Sequence, residues 1–438
     1  MFKVLANAWK IDDLRKKILF TLFILILFRL GCAIPVPFLN AEALGDLFAQ
    51  YNADGNIFGY LNIMAGGALE NATLFSLSIS PYINASIIMQ LLMVAIPALE
   101  RIMKEDSQRG QKIMNRWTRY LAVAFSILLG FGYFTILLNG KDGTGGILQV
   151  EGKAVWFAGF VIVACFAAGA AIVMWLGEKI NEKGIGNGIS MILFAGIVSS
   201  APRMFMSAWA YMQTKDYSWV SILVIVAVVI VLLAMVGFVV FITNGERRIP
   251  VQYAKKVVGR KMYGGQNTHI PLKVNMTGVM PVIFAQSFVM LPTTICSFFP
   301  KLRDSWFGKL TAVNGGWGYA LCMFLLIVFF SYFYTIITFS PIEVANNLKK
   351  NGGFIMGIRP GRPTSDFITK TLNRITLLGA IFLGIIAALT SLAAGWFPEL
   401  AGLAIGGTSL LIVVGVALEF VQQLESQMVM RHYKGFLE

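Results

Sequence analysis

Apolar residues in this chain come in runs too long for strands or for ordinary core helices. Ten runs reach the roughly 20 residues that a bilayer's hydrocarbon core demands: 18–37, 76–96, 119–138, 155–176, 185–204, 219–242, 273–296, 317–339, 374–395 and 398–420. Each predicts a membrane-spanning helix, because only a helix or a closed barrel satisfies its own backbone in lipid. No long polar stretch separates the runs, so no extramembrane domain is expected. The stretch 57–75 is different. It is moderately apolar, carries Gly66-Gly67, Glu70 and Asn71, and is too short and polar to span; Pro81 then marks a break before the next run. A short element inserted from outside and an ordinary surface loop fit it equally.

Charge gives the runs a direction. With the N-terminus inside, the inner segments carry 28 Lys and Arg and the outer segments 7, while Arg29 interrupts the first run. That bias predicts both termini in the cytoplasm. The net charge of +14 is then loop bias and not a sign of nucleic-acid binding. Only 13% of residues are charged, 57% are hydrophobic and the mean hydropathy is +0.71. Soluble domains carry about 25% charge, so a water-soluble globule is excluded. No cleavable leader is evident, since the first apolar run is too long for one.

Catalytic chemistry has little material. The four cysteines form no CxxC pair, and the two histidines, His269 and His432, lie outside the runs. No metal site, redox dithiol or cofactor is expected. The runs are nearly free of ionisable groups, which argues against proton- or ion-coupled carriers and against an intramembrane aspartyl protease. Gly188-Ile189-Ser190-Met191 has the form of a serine-protease string, but no histidine within a run can activate Ser190. Gly184-Ile185-Gly186-Asn187-Gly188 lacks the spacing of a dinucleotide loop and reads as a loosened helix start. Arg29 is expected to snorkel to the outer headgroups; the alternative is a fixed partner inside the bundle.

A faint internal repeat runs through the chain. Pro81-Tyr82-Ile83-Asn84-Ala85-Ser86 in the second run resembles Pro281-Val282-Ile283-Phe284-Ala285-Gln286-Ser287 in the seventh. Five runs separate them, so the copies cross in opposite senses, the mark of an inverted-topology repeat. By periodicity alone the aliphatic residues of these runs are core or lipid-facing. A polypeptide channel and a broken-helix secondary transporter of small solutes both fit the pattern; a lipid-modifying enzyme fits worst.

Six segments carry a resemblance to a known family: Ser-Pro-Tyr-Ile-Asn-Ala-Ser-Ile at 80–87, Gly-Ile-Gly-Asn-Gly-Ile-Ser at 184–190, Glu-Arg-Arg-Ile-Pro-Val-Gln-Tyr-Ala at 246–254, Pro-Leu-Lys-Val-Asn-Met-Thr-Gly-Val-Met-Pro at 271–281, Gly-Ile-Arg-Pro-Gly at 357–361 and Gly-Gly-Thr-Ser-Leu-Leu-Ile at 406–412. In this order, over nearly the whole chain, they resemble the bacterial SecY family, the channel subunit of the general protein translocase. The resemblance implies an all-α polytopic membrane protein, with ten transmembrane helices in two inverted five-helix halves (1–210 and 211–438) around an hourglass pore. It implies a constriction ring of Ile79, Ile83, Ile189, Leu193, Ile283 and Ile412, Leu193 standing where several members have Ile. It maps a plug onto about 57–75, including Gly66, Gly67, Glu70 and Asn71, and a lateral gate onto Ser86, Gln90 and Ser287. The basic cytoplasmic loops at about 243–273 and 340–374 correspond to docking loops, with Arg247, Arg248, Lys255, Lys256 and Arg359 as expected contacts. The implied partners are the small membrane subunits SecE and SecG, the SecA motor ATPase, the ribosome with its RNA, unfolded secretory and membrane polypeptides, and the lipid bilayer. The implied location is the inner membrane of a bacterium, and the implied function is transport of unfolded chains without catalysis.

Overall fold

A helix overlaps each of the ten apolar runs in the computed structural model, which describes residues 2–40, 43–45, 62, 65–97, 99, 107–139, 148–150, 154–214, 219–253, 256–258, 261–263, 267–298, 316–396 and 406–434. In chain order these are α1 (Phe2–Trp9), α2 (Asp12–Gly31), α3 (Ser80–Ala95), α4 (Ser107–Asn139), α5 (Ala154–Lys183), α6 (Gly188–Thr214), α7 (Trp219–Thr243), α8 (Met280–Phe298), α9 (Trp317–Thr338), α10 (Pro341–Lys350), α11 (Arg362–Trp396) and α12 (Gly406–Lys434). α1 and α10 are short amphipathic additions outside the runs. Among the described residues six helical stretches are long and apolar enough to cross a membrane by length and composition, and the apolar parts of α3, α6 and α8 are shorter.

The element ends follow local chemistry. α2 stops at Gly31, short of the expected 37, because Pro35 and Pro37 cannot continue the helical ladder. α8 starts at Met280, not 273, because Pro281 suits a first turn, while 267–273 extends as a strand. α10 begins with the Ser340 hydroxyl accepting from the Glu343 N–H, with Pro341 next and Lys349 and Lys350 in the last turn.

Most buried apolar side chains form one continuous core shared by helices from both ends of the chain, including Phe28, Phe166, Ile192 and Phe330. α7 stands at the edge. Its apolar stretch has mean hydropathy 3.5, and Leu223, Ile230 and Leu233 are exposed, an outer face suited to lipid.

The two long loops carry regular structure that the apolar runs did not predict. β1 (Glu246–Tyr253), β4 (Asn267–Lys273) and β5 (Gly353–Ile355) form a sheet of order β4-β1-β5, antiparallel throughout, and β2 (Lys256–Val258) pairs with β3 (Lys261–Tyr263). Val251 stands opposite both Thr268 and Ile355, so the two long loops are stitched together. They enclose a second core of Ile249, Val251, Leu272, Leu348, Ile355, Ile368 and Ile375. The sequence concealed this because the apolar residues alternate, as in Arg248-Ile249-Pro250-Val251, where Ile249 and Val251 are buried and Arg248 and Pro250 exposed. Strands this short leave no apolar run.

Candidate functional site

Four helix starts contribute side chains to the main core. Ile79 is the N-cap of α3 and Ile83 lies one turn on; Ile189 and Leu193 occupy the first two turns of α6; Ile283 lies in the first turn of α8 and Ile412 in the second turn of α12. Ile79, Ile83, Leu193, Ile283 and Ile412 are at most 1% exposed, and Ile189 is half-buried against the same core. All six expected ring residues therefore belong to one apolar cluster, drawn from both halves of the chain. None lies on the outer perimeter.

Local sequence puts them there. The Ile79 carbonyl accepts from the N–H groups of Tyr82 and Ile83 at 3.1 Å each, and the Val279 carbonyl accepts from those of Val282 and Ile283 at 3.1 Å each. Pro81 and Pro281 hold corresponding first-turn positions, and Ile83, Ala85, Ile283 and Ala285 are all buried. The two copies of the repeat thus start their helices alike. At α6 the Gly188 N–H donates to Asn181 Oδ1 at 2.7 Å and the Ile185 N–H to Thr21 Oγ1 at 3.1 Å. Gly188 packs directly on the Gly177 carbonyl of α5, a gap that no Cβ fits. That approach seats Ile189 and Leu193 in the core.

The expected gate residues sit beside this cluster on α3 and α8, which touch each other. Gln90 Nε2 donates to Ser86 Oγ at 3.2 Å. Ser287 is buried on α8. Phe284 of α8 meets Tyr334 edge-on at 5.4 Å, and Gln286 Nε2 donates to the Tyr319 hydroxyl at 3.2 Å. Gln286, Tyr319 and Tyr334 were not singled out from the sequence. Gln286 had a signal: it stands in the repeat where Ser86 stands.

Residues 65–79 form a turn-rich, buried knot and not an exposed loop; 57–61, 63 and 64 lie outside the described residues. Gly66 and Gly67 take φ of 67° and 83° and are buried, Glu70 is half-buried and Asn71 is exposed. Asn62 holds Glu70 through two bonds, Nδ2 to Oε2 at 2.8 Å and Oδ1 from the Glu70 N–H at 3.0 Å. Asn71 Nδ2 donates to the Gly67 carbonyl at 2.9 Å. Ala65, Ala68, Leu69, Ala72 and Phe75 all enter the main core.

Arg29 corrects an expectation. Its side chain is half-buried and Nη1 donates to the Gly66 carbonyl at 3.4 Å, so it has a fixed partner inside the bundle and does not simply reach for headgroups. A guanidinium in an apolar setting gains more from a carbonyl acceptor than from an apolar outer face.

Among the expected docking contacts, Arg247 and Arg248 are exposed on β1, and Arg359 is exposed in the turn after β5. Arg248 is paired with Glu246 at 2.6 Å. Lys256 belongs to β2; its side chain and Lys255 lie outside the described residues. Because β1 pairs with β5, the two basic segments form one surface. Among the described residues no cluster of His, Cys, Asp and Glu has the makings of a metal site.

A sequence model of the SecY family matches residues 73–421. The chain is similar over its whole length to "Protein translocase subunit SecY" of Streptomyces coelicolor, 44% identical with all of both chains covered, and of Mycobacterium bovis, 43% identical with the same coverage. Its fold is similar to the structure titled "The structure of a protein conducting channel", with a TM-score of 0.65, 18% identity and 95% and 93% of the two chains covered. It is similar also to the channel in "Sec61 in the Canine ribosome-channel complex from the endoplasmic reticulum", with a TM-score of 0.63, 17% identity and 95% and 93% covered. A family model over most of the chain and full-length relatives of one kind point the same way: this chain belongs to the SecY family.

Proposed function

We propose that this chain is the protein-conducting subunit of a bacterial secretory translocase, and that its ring is the six-residue cluster of Ile79, Ile83, Ile189, Leu193, Ile283 and Ile412. The observation that carries the proposal is that all six stand near the starts of four helices, two from each half of the chain, and pack in one buried core. A channel for unfolded chains must pass every side chain and hold none. An aliphatic collar has no charge to trap a residue and no hydrogen bond to break. Ile is stiff at χ1, so it closes as a defined surface around a thread. When empty, a narrow apolar constriction resists wetting and opposes ion flow.

Ten crossings in two inverted halves are supported by the matching starts of α3 and α8 and by the ten helices over ten apolar runs. The charge bias supports an inner-membrane protein with both termini in the cytoplasm. Residues 57–75 then serve as the plug, and the part at 65–75 packs into the main core. The seam between α3 and α8, with Ser86, Gln90 and Ser287 along it, is the lateral gate. A nascent helix gains roughly 0.3–0.6 kcal/mol per Leu or Ile on entering lipid and loses roughly 2.5–3.5 per central charge. A seam that opens to lipid sorts segments on that difference without catalysis.

Energy comes from partners. The paired loops present Arg247, Arg248, Lys255, Lys256 and Arg359 to the SecA motor and to ribosomal RNA, where phosphate contacts make docking salt-sensitive. SecE and SecG complete the membrane complex. The test is import of a purified preprotein into inverted membrane vesicles whose only channel subunit is this chain. Protease-protected product that depends on SecA and ATP is expected. Its absence in vesicles holding normal amounts of the assembled chain would overturn the proposal.

A further inference from the structure

The turn that joins α5 to α6 is held by a helix that carries none of the six ring residues. The Gly184 N–H still continues the α5 ladder, donating to the Ile180 carbonyl at 2.8 Å. The next N–H, that of Ile185, donates instead to Thr21 Oγ1 of α2 at 3.1 Å. Thr21 is 2% exposed, and its hydroxyl spends its proton on the Lys17 carbonyl at 3.0 Å, leaving its lone pairs for the turn. A Cβ at Gly184 would lie 2.6 Å from Thr21 Oγ1 and 2.7 Å from the Ile180 carbonyl, so glycine lets the two elements approach. The Ile185 side chain is buried with Ala8 of α1, Leu14 and Ile18 of α2 and Leu424 of α12. Gly186, with φ of 93°, faces Met191 and Phe420. Beyond the turn, Asn181 Oδ1 accepts from the Gly188 N–H at 2.7 Å and Asn187 Oδ1 from the Ile189 N–H at 3.1 Å. These two asparagines belong to the α5–α6 hairpin itself and fix α6 against α5. Thr21 ties that hairpin to a third helix.

From this arrangement we infer that Thr21 is a positioning residue for Ile189 and Leu193: its hydroxyl fixes the turn, and the turn fixes the angle at which α6 enters the core. The inference rests on the ring role proposed above for those two side chains. The lever is short. Ile185 stands four residues before Ile189, and α6 is pinned to α5 where Gly188 rests on the Gly177 carbonyl. A shift of the turn therefore tilts α6 about that contact and moves the first two turns of the helix. Valine at position 21 would keep the shape of threonine but leave the buried Ile185 N–H without its acceptor, a state that folded chains avoid by moving the backbone. The other ring helices start independently of this turn. Ile83 and Ile283 take their places from the Ile79 and Val279 carbonyls that open α3 and α8.

The experiment uses the full chain in its membrane complex, with Cys32, Cys165, Cys296 and Cys322 replaced and a single reporter thiol introduced. Leu193→Cys reports on α6 and Ile283→Cys on α8; both sites are 0% exposed. A small water-soluble thiol reagent is applied to the resting complex. Thr21→Val is expected to speed labelling of Leu193→Cys about three- to tenfold, the effect of one lost hydrogen bond, and to leave labelling of Ile283→Cys unchanged. Thr21→Ser, which keeps the hydroxyl and loses the methyl, is expected to label at the parent rate. Unchanged labelling of Leu193→Cys in Thr21→Val overturns the inference. So does an equal rise at Ile283→Cys, which signals general loosening, and so does Thr21→Ser labelling as fast as Thr21→Val, which assigns the effect to packing. The ring role is tested apart, by the resting ion conductance of Leu193→Asp. If that does not rise, the ring role fails, whatever the labelling shows of α6.

Discussion

Replacing Ile283 by Asp places a carboxylate where the side chain is 0% exposed within the main apolar core. Two losses combine. The isoleucine's burial is worth about 1.5–3 kcal/mol. An ionised carboxylate in a dry interior costs several kcal/mol more after relaxation. The two together are of order 5 kcal/mol, and each 1.4 kcal/mol is tenfold in an equilibrium, so the sealed, dry state loses roughly three orders of magnitude against a wetted one. Water entering the waist relieves the carboxylate without unfolding the bundle, since the loss is confined to one turn of α8. The assay is ion conductance of the purified complex in planar bilayers, with Ile283→Leu as a volume-conserving control that costs under about 1.5 kcal/mol. The Asp variant is expected to conduct at rest and the Leu variant to stay closed. An Asp variant that inserts and assembles normally yet remains as tight as the parent would refute the reasoning.

Other perturbations probe the surrounding parts. Gln90→Leu removes the Gln90–Ser86 bond at the proposed seam, and should lower the hydrophobicity that a signal segment needs for export, measured with a graded series of signals. Arg359→Glu should impair SecA-driven export more than ribosome-coupled insertion; equal loss of both, compared in vesicles and in a coupled translation system, counts against a motor contact. Gly188→Ala forces α6 away from the Gly177 carbonyl, and overpacking of this kind costs about 1–3 kcal/mol; a drop in the thermal midpoint together with a resting leak is expected. Val251→Asp buries a charge between β4 and β5 and should unfold the three-stranded sheet, seen as new protease cuts at 246–273 while the helical core stays resistant.

The bundle was legible because lipid imposes a length and a composition on any helix that crosses it, and those survive in every run from 18–37 to 398–420. The proposed ring was not legible from periodicity, since Ile79 or Ile412 reads the same whether it faces lipid, a core or a pore. What distinguishes the six is position: each lies at or close to a helix start, at Ser80-Pro81, Gly188, Met280-Pro281 or Gly406-Gly407. Breakers within apolar sequence were the available signal. Two features depended on long-range contact and left little local trace. The pairing of β1 with β5 joins residues about a hundred positions apart through strands of three to eight residues. The inward turn of Arg29 depends on a carbonyl at Gly66 that no pattern around Arg29 discloses.

The most direct test of the central claim is to stall a secretory chain in transit and ask which side chains it touches. A photoreactive amino acid is placed in turn at Ile79, Ile83, Ile189, Leu193, Ile283 and Ile412, and at the outward-facing Ile230 and Leu325. Crosslinks to the stalled chain at all six inner positions and at neither outer one are predicted. A stalled chain that crosslinks at Ile230 or Leu325 and passes the six in silence would contradict the account.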